Sequence, residues 1–286
     1  MSVIKLSVII PSRNRPNALK RCLDSLNKER SFLFEIIVAD DSSPLYYDSY
    51  QKIRDQYKIK LIRGRKKGLY TNHNLLFKSA KGTHLRVIDD DHVIPRNHIY
   101  TTLKFIKVDK KSVWSIGEKY PLKPFYNNKI FYPGELNNRG FSSKAKDTND
   151  SIALACGSSI YPKVIFTNKN FYIDKYPWGV MWLEYGARLK MMGYKIRIMP
   201  NNFINHYYIE HKRSLSTFKF HLETKFFVIF FYNLIYNRNI KNILLGTYEI
   251  LKQFFYYNMH DVKFALYTSY KYFFFLKKNN FWKKNI

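Results

Sequence analysis

Three consecutive carboxylates, Asp89-Asp90-Asp91, follow directly on the apolar β-branched pair Val87-Ile88 and precede His92. A buried strand ending in this way delivers concentrated negative charge to the edge of a sheet. Adjacent carboxylates repel, so the cluster needs a cation or strong hydrogen-bond donors. Oxygen ligands suit hard divalent ions such as Mg²⁺ or Mn²⁺, and such ions bridge phosphates. A second acidic pair, Asp40-Asp41, ends another apolar run, and Ser12-Arg13 ends a third. Taken singly, each group also fits a turn or a helix cap, where Asp and Ser are common. Their recurrence at the ends of successive apolar runs favours a metal and phosphate site.

The elements that must position these groups alternate. Strand patterns run over 6–11, 34–39, 59–62 and 83–88. Between them lie helical patterns: one capped by Asn17 with Leu19, Cys22, Leu23 and Leu26 on one face, then 47–57, then 71–80. A β-α-β-α-β-α-β order predicts a parallel α/β sheet with its functional groups at the strand C-termini.

In this order and spacing, the motifs resemble family 2 glycosyltransferases of the GT-A fold. The pieces are Ser7-Val8-Ile9-Ile10-Pro11-Ser12-Arg13-Asn14-Arg15, Ile37-Val38-Ala39-Asp40-Asp41-Ser42-Ser43, Gly68-Leu69-Tyr70-Thr71-Asn72-His73-Asn74 and Ile88-Asp89-Asp90-Asp91. The likeness continues through Ala155-Cys156-Gly157-Ser158-Ser159 and Glu184-Tyr185-Gly186-Ala187-Arg188-Leu189 to His206. It implies a Rossmann-like mixed central sheet with helices on both faces over residues 1–216. It further implies transfer of a sugar from a nucleoside diphosphate sugar to an acceptor hydroxyl, with inversion. Under the resemblance, Asp41 with Asp40 beside it receives the nucleotide base, and Pro11, Ser12 and Arg13 line the same pocket. Asp89 and Asp90 face the donor, His73 stands where relatives carry an arginine facing the diphosphate, and Asp89, Asp91 and His206 hold Mn²⁺ or Mg²⁺. His211 is a rival ligand.

The acceptor side departs from the family pattern. Relatives place an acidic pair before the arginine matching Arg188, where this chain has Met181 and Trp182. Glu184 is the one acid in 178–192 and is the candidate base. Glu184 and Arg188 also sit one helical turn apart, so a structural ion pair is the competing reading. Trp178 and Trp182 fit either an acceptor-sugar platform or the core. The polar segment 133–151 reads as a mobile loop, either a linker or an acceptor-side lid.

The formal charge of +28 over 286 residues calls for an anionic partner. The cations are dispersed and no nucleic-acid motif is visible, so a nucleic-acid binder is the weaker alternative to a transferase. A catalytically silent donor-binding module is another, because of Met181 and Trp182. Two cysteines make no disulfide framework, and the N-terminal residues lack a signal-peptide pattern. Both point to the cytoplasm. From residue 217 onward, 11 Lys/Arg stand against three Asp/Glu among many aromatics. This region, 217–286, reads as a helical extension suited to the inner face of the cell membrane, with 273–284 facing anionic lipid. A helical bundle or a dimer interface is the alternative. A membrane setting suggests a lipid-linked or cell-surface glycan as acceptor.

Overall fold

A computed structural model describes residues 3–126, 129–177, 179–208 and 218–284. The chain begins with β1 (Leu6–Ser12), α1 (Pro16–Asn27), β2 (Glu35–Asp40), α2 (Tyr47–Tyr57), β3 (Lys60–Arg63) and α3 (Leu69–Ser79). It continues through β4 (His84–Val87), β5 (His92–Val93), α4 (His98–Val108), β6 (Val113–Lys119), β7 (Gly134–Leu136) and β8 (Ser142–Lys144). After β9 (Ser159–Pro162) come α5 (Val164–Thr167), α6 (Met181–Met191) and β10 (Ile196–His206). The last helices are α7 (Phe218–Phe231), α8 (Ile240–Tyr256), α9 (Met259–Lys278) and α10 (Phe281–Lys284).

Eight strands form one sheet in the order β3-β2-β1-β4-β9-β6-β10-β5. Strands β3, β2, β1 and β4 run parallel, whereas β9 pairs antiparallel with both β4 and β6. The sheet is therefore mixed, with the order reversing beside β4. Strand alternation explains why both faces carry helices. In β1, Val8 and Ile10 enter a cluster with Leu19, Leu23 and Leu26 of α1, while Ile9 between them joins Leu76 and Phe77 of α3 on the opposite face. A strand apolar on both faces must be covered on both.

Three expectations are corrected here. Helix α1 starts at Pro16 with Arg15, not Asn17, as its cap residue, because proline's fixed φ suits the first helical turn. The 133–151 segment carries the β7–β8 hairpin, held by pairing from Gly134 with Lys144 to Leu136 with Ser142. The C-terminal stretch 273–284 does not present all of its aromatics outward. Phe273, Leu276 and Trp282 are buried in the same apolar cluster as Ile9 and Leu85 of the sheet. Helix α7 explains how: Phe227 and Phe231 enter that cluster while Phe226 and Ile229 enter another with Val262 and Ala265 of α9. A helix apolar on all sides is buried on all sides. Among the described residues, no helix is long and apolar enough to cross a membrane.

Candidate active site

Where β1 and β4 end, beside the reversal of strand order, a cavity of about 720 Å³ opens. Pro11, Arg15, Asp89, Asp91, Glu118, Gly157, His206 and His221 are in its wall. Asp89 and Asp91 reach it, but Asp90 between them does not. Asp90 is fully buried, accepts a hydrogen bond from Ser12 Oγ at 2.7 Å and forms an ion pair with Arg15. The expected donor-facing role of Asp90 is thus corrected: the chain turns here, closed by the His92 N–H donating to the Asp89 carbonyl at 3.1 Å, and Asp90 goes inward to Ser12 and Arg15. Burial pushes the Asp90 carboxyl up, against the pull of Arg15.

Arg15 Nη1 also lies 2.9 Å from Asp91 Oδ2, so one guanidinium bridges two of the three aspartates. Arg13, expected with Pro11 and Ser12 in the base pocket, is exposed. Residue parity favoured neither, and the decision falls to Asn14, whose φ of 55° turns the chain. Asn tolerates this left-handed conformation better than most residues.

His206 sits between two carboxylates. Its Nδ1 is 3.0 Å from Glu118 Oε2, and its Nε2 is 3.4 Å from Asp91 Oδ1. Burial disfavours the imidazolium, yet the two carboxylates outweigh burial and raise its pKa to about 10. Glu118, raised by burial but lowered further by His206, His92 and the Tyr120 hydroxyl, falls to about 2. Asp91 is likewise held well below the usual carboxylate range once its histidine neighbours overcome burial. A negative cluster has gathered positive charge around itself, as the sequence demanded.

These residues fit a divalent ion. One ligand atom from each of Asp91, His92 and His206 lies within 4.8 Å of the others. Asp89 Oδ1 and His206 Nε2 have no hydrogen-bond partner among the described residues. A divalent ion would displace the Nε2 proton of the His206 imidazolium; with Nδ1–H kept on Glu118, the Nε2 lone pair would then be free to ligate beside Asp91, the carboxylate–histidine arrangement that orients metal ligands. His92 differs. Its Nδ1 accepts the Asp89 backbone N–H at 3.3 Å, leaving a proton on Nε2, which faces Asp89 and Asp91 at 3.9 and 4.0 Å. It is therefore suited to orient the aspartates. Glu118 and His92, which the sequence reading passed over, are positioned by the pairing of β6 and of β5 with β10.

The remaining expected site residues fall elsewhere. Asp40 is buried, paired to Arg63 at 2.6 Å, and accepts the Ser42 N–H, so its carboxylate is occupied. Asp41 accepts the Lys66 N–H at 2.6 Å at the neighbouring strand end. Gly64 packs against it so closely that a Cβ would lie 2.5 Å from Asp41 Oδ1. His73 is corrected outright. It is fully buried against Tyr70, Phe77 and Tyr172, and burial lowers its pKa to about 4. It is a neutral core ring with no path to a diphosphate.

Glu184 is corrected as well. It is fully buried, its Oε1 lies 2.7 Å from Arg188 Nε, and Trp282 Nε1 donates to the same oxygen at 3.0 Å. A carboxylate sealed behind α6 and α10 cannot reach an acceptor hydroxyl. Trp182 does line the cavity, whereas Met181 is buried. Trp178 and His211 lie outside the described residues. His221, on the first turns of α7, is exposed in the cavity wall. It was among the histidines to which sequence alone gave no role, since nothing local tied it to the aspartates.

Known proteins show the same arrangement of chain. The family model for glycosyl transferase family 2 matches residues 7–166. WfaP of Escherichia coli, a UDP-Glc:alpha-D-GlcNAc-diphosphoundecaprenol beta-1,3-glucosyltransferase, is 27% identical over 218 residues, covering 75% of this chain and 81% of its own. A dolichol-phosphate mannosyltransferase of Pyrococcus furiosus is 30% identical over 159 residues, 52% of this chain and 45% of its own. Among solved structures, GalNAc-T7 with UDP, GalNAc and Mn²⁺ superposes with a TM-score of 0.65 at 19% identity, over 80% of this chain but 48% of the other. The mannosyltransferase PcManGT of Pyrobaculum calidifontis, in complex with GDP-Man and Mn²⁺, gives a TM-score of 0.61 at 14% identity, over 95% of this chain and 74% of the other. The match over more than half of the chain, the mixed sheet and these neighbours make the conclusion plain: the chain belongs to glycosyl transferase family 2 and is a glycosyltransferase with the GT-A fold.

Proposed function

We propose that the protein transfers a sugar from a nucleoside diphosphate sugar, with inversion, to a hydroxyl of a lipid-linked or cell-surface glycan at the inner face of the cell membrane. Donors of this class are bound by structural neighbours, as UDP-GlcNAc or GDP-Man, and UDP alone by another. WfaP's diphosphoundecaprenol acceptor supports the lipid-linked choice. The observation that carries the reading is the Glu118–His206–Asp91 chain beside the unpartnered Asp89 Oδ1.

In this reading Asp89, Asp91 and His206 hold Mn²⁺ or Mg²⁺, Glu118 fixes the His206 tautomer, and His92 steadies the aspartates. A bound divalent ion supplies Lewis-acid stabilisation of the departing diphosphate. Arg15 adds a second positive charge on the same side. Asp41 and Pro11 receive the base end of the donor. His221 removes the acceptor hydroxyl proton onto an imidazole nitrogen. It is an exposed, base-capable side chain in the cavity wall, and an imidazole suits proton transfer near neutrality. Trp182 offers the acceptor sugar an apolar ring face.

A second reading, a donor-binding module without turnover, is favoured by one observation: Met181, Trp182 and the sealed Glu184 leave the family's usual base positions empty of reachable carboxylate. Release of UDP, GDP or TDP from a panel of nucleotide sugars, with Mn²⁺ and a polyprenyl-diphosphate glycan, tests both. Acceptor-dependent release from one donor supports the transferase. Metal-dependent binding without release from any donor supports the silent module.

A further inference from the structure

Helix α8 is built inside out. Its buried face carries Asn242, Gly246, Glu249, Ile250 and Gln253, four of them polar or side-chain-free. Its outward face carries Ile240, Leu244, Tyr248, Leu251 and Phe255, which are between 56% and 87% exposed. At 3.6 residues per turn these five fall within about 80° of arc, opposite the buried set. A surface helix of a water-soluble core shows the reverse pattern.

Specific partners fix this orientation. Asn239 caps the helix by accepting from Asn242 N at 2.8 Å. Asn138 Nδ2 donates to Asn242 Oδ1 at 2.9 Å, Lys225 pairs with Glu249 at 2.7 Å, and Gln253 donates to Glu249 at 3.0 Å. Gly246 admits Asn233, whose Nδ2 stands 2.1 Å from where a Cβ would be. Rotating α8 to hide its apolar stripe would break its contacts with Asn138 and Lys225 and its close approach to Asn233, and would carry Asn242 and Glu249 away from those partners. The stripe is therefore presented to the surroundings by design of the fold.

We propose that this outward face of α8 docks on an anionic phospholipid surface. Charge identifies the partner. Lys241 and Lys252 border the stripe, and Lys263 and Lys271 rise beside Tyr267 and Tyr270 on α9, across a shallow apolar groove. Of the three acids in α7–α9, Glu223 and Glu249 are buried and Asp261 alone is exposed. Apolar side chains that enter the acyl boundary, tyrosines at headgroup depth and flanking lysines together suit the membrane interface. A second copy of the chain fits less well, since two-fold pairing would bring like-charged rims together. The inference rests on the membrane setting proposed above and names the surface responsible for it. The surface is α8, in place of the 273–284 stretch, whose Phe273, Leu276 and Trp282 are buried.

The test uses the full chain and co-sedimentation with phosphatidylcholine vesicles, with or without phosphatidylglycerol. The combined variant Leu244→Gln, Leu251→Gln, Phe255→Gln changes exposed positions only, so its melting temperature should stay near that of the parent. Its partition onto phosphatidylglycerol vesicles should fall at least about tenfold. Val108→Gln, an equally exposed apolar site on α4, should leave partition unchanged. Donor binding, measured separately, should be the same in all three proteins, so failure of the sugar-nucleotide reading and failure of this one are told apart. The proposal is overturned if the parent binds no vesicles, if it binds neutral and anionic vesicles equally, or if the triple variant binds as the parent does. It is equally overturned if sedimentation shows a dimer that the triple variant dissolves while vesicle binding persists.

Discussion

Gly157→Ala probes the donor site without replacing any charged residue. A Cβ at this position would lie 2.1 Å from Asp89 Oδ2 and 2.4 Å from its Cγ, where ordinary contact begins at 3.4 Å. The backbone of Gly157 is not in the left-handed region, so alanine imposes no dihedral strain. The Asp89 side chain, 27% exposed, is the mobile partner and must retreat by roughly 1.3 Å to make room. A displacement of that size at a reacting centre costs on the order of 10²-fold. Replacing glycine in an allowed conformation otherwise tends to stabilise, by about 0.4–1 kcal/mol. The expected outcome is a kcat/KM for the donor lowered by about 10- to 100-fold at saturating Mn²⁺, with a melting temperature within a few degrees of the parent. An unchanged kcat/KM would refute the assignment of Asp89 to the donor. A collapse of the melting temperature would instead make Gly157 a packing residue.

Three further outcomes are expected. Glu184→Gln leaves Arg188 buried without its counter-charge, which costs on the order of 3 kcal/mol and lowers the melting temperature by roughly 6–12 °C. Transfer per folded molecule should stay within about threefold, and a stable variant with transfer abolished would restore Glu184 as the base. His221→Gln should lower kcat by about 10²- to 10⁴-fold while calorimetry shows donor binding intact; normal turnover would remove His221 from the chemistry. His73→Phe tests acid stability. The folded pKa near 4 lies below the ordinary 6.5, so as pH falls through 6.5 the unfolded chain gains a proton that the folded one refuses, and stability drops until about pH 4. Between pH 7 and 5 this group alone removes about 2 kcal/mol, and urea titrations of the Phe variant should show that much less loss. Equal losses in both proteins would mean that His73 takes up a proton in the fold.

The part of the molecule that local pattern governs was legible in the sequence. The alternation of apolar runs with helical stripes gave the strands and helices from β1 to β4, because strands and helices announce themselves by periods of two and 3.6 residues. The position of the aspartates at 89 and 91 in the cavity wall was legible too, since a charge cluster directly after an apolar strand must lie at a strand end. What failed depended on contacts distant in sequence. Glu118 meets His206 across 88 positions, through a β6–β10 pairing that no local pattern encodes. Arg15 displaced Arg13 because a single left-handed residue, Asn14, reverses which side chain turns inward. Glu184 looked reachable because a helical i,i+4 pair reads alike whether exposed or sealed, and the seal is Trp282, 98 positions away. In the C-terminal region the composition suggested a membrane surface, but it did not say which aromatic residues the sheet would bury. Phe273 and Trp282 went to the core and left the stripe on α8 outside.

The central claim is that Asp91 and His206, with Asp89, form a divalent-ion site on which the donor diphosphate is bound. Titration calorimetry of the full chain with UDP-Glc, UDP-GlcNAc and GDP-Man, with Mn²⁺ and with excess chelator, measures this directly in the parent, Asp91→Asn and His206→Ala proteins. The account predicts binding of at least one donor in the parent, lost on chelation, and weakened by about 10-fold or more in each variant. Donor binding of equal strength with chelator, or in both variants, would contradict it.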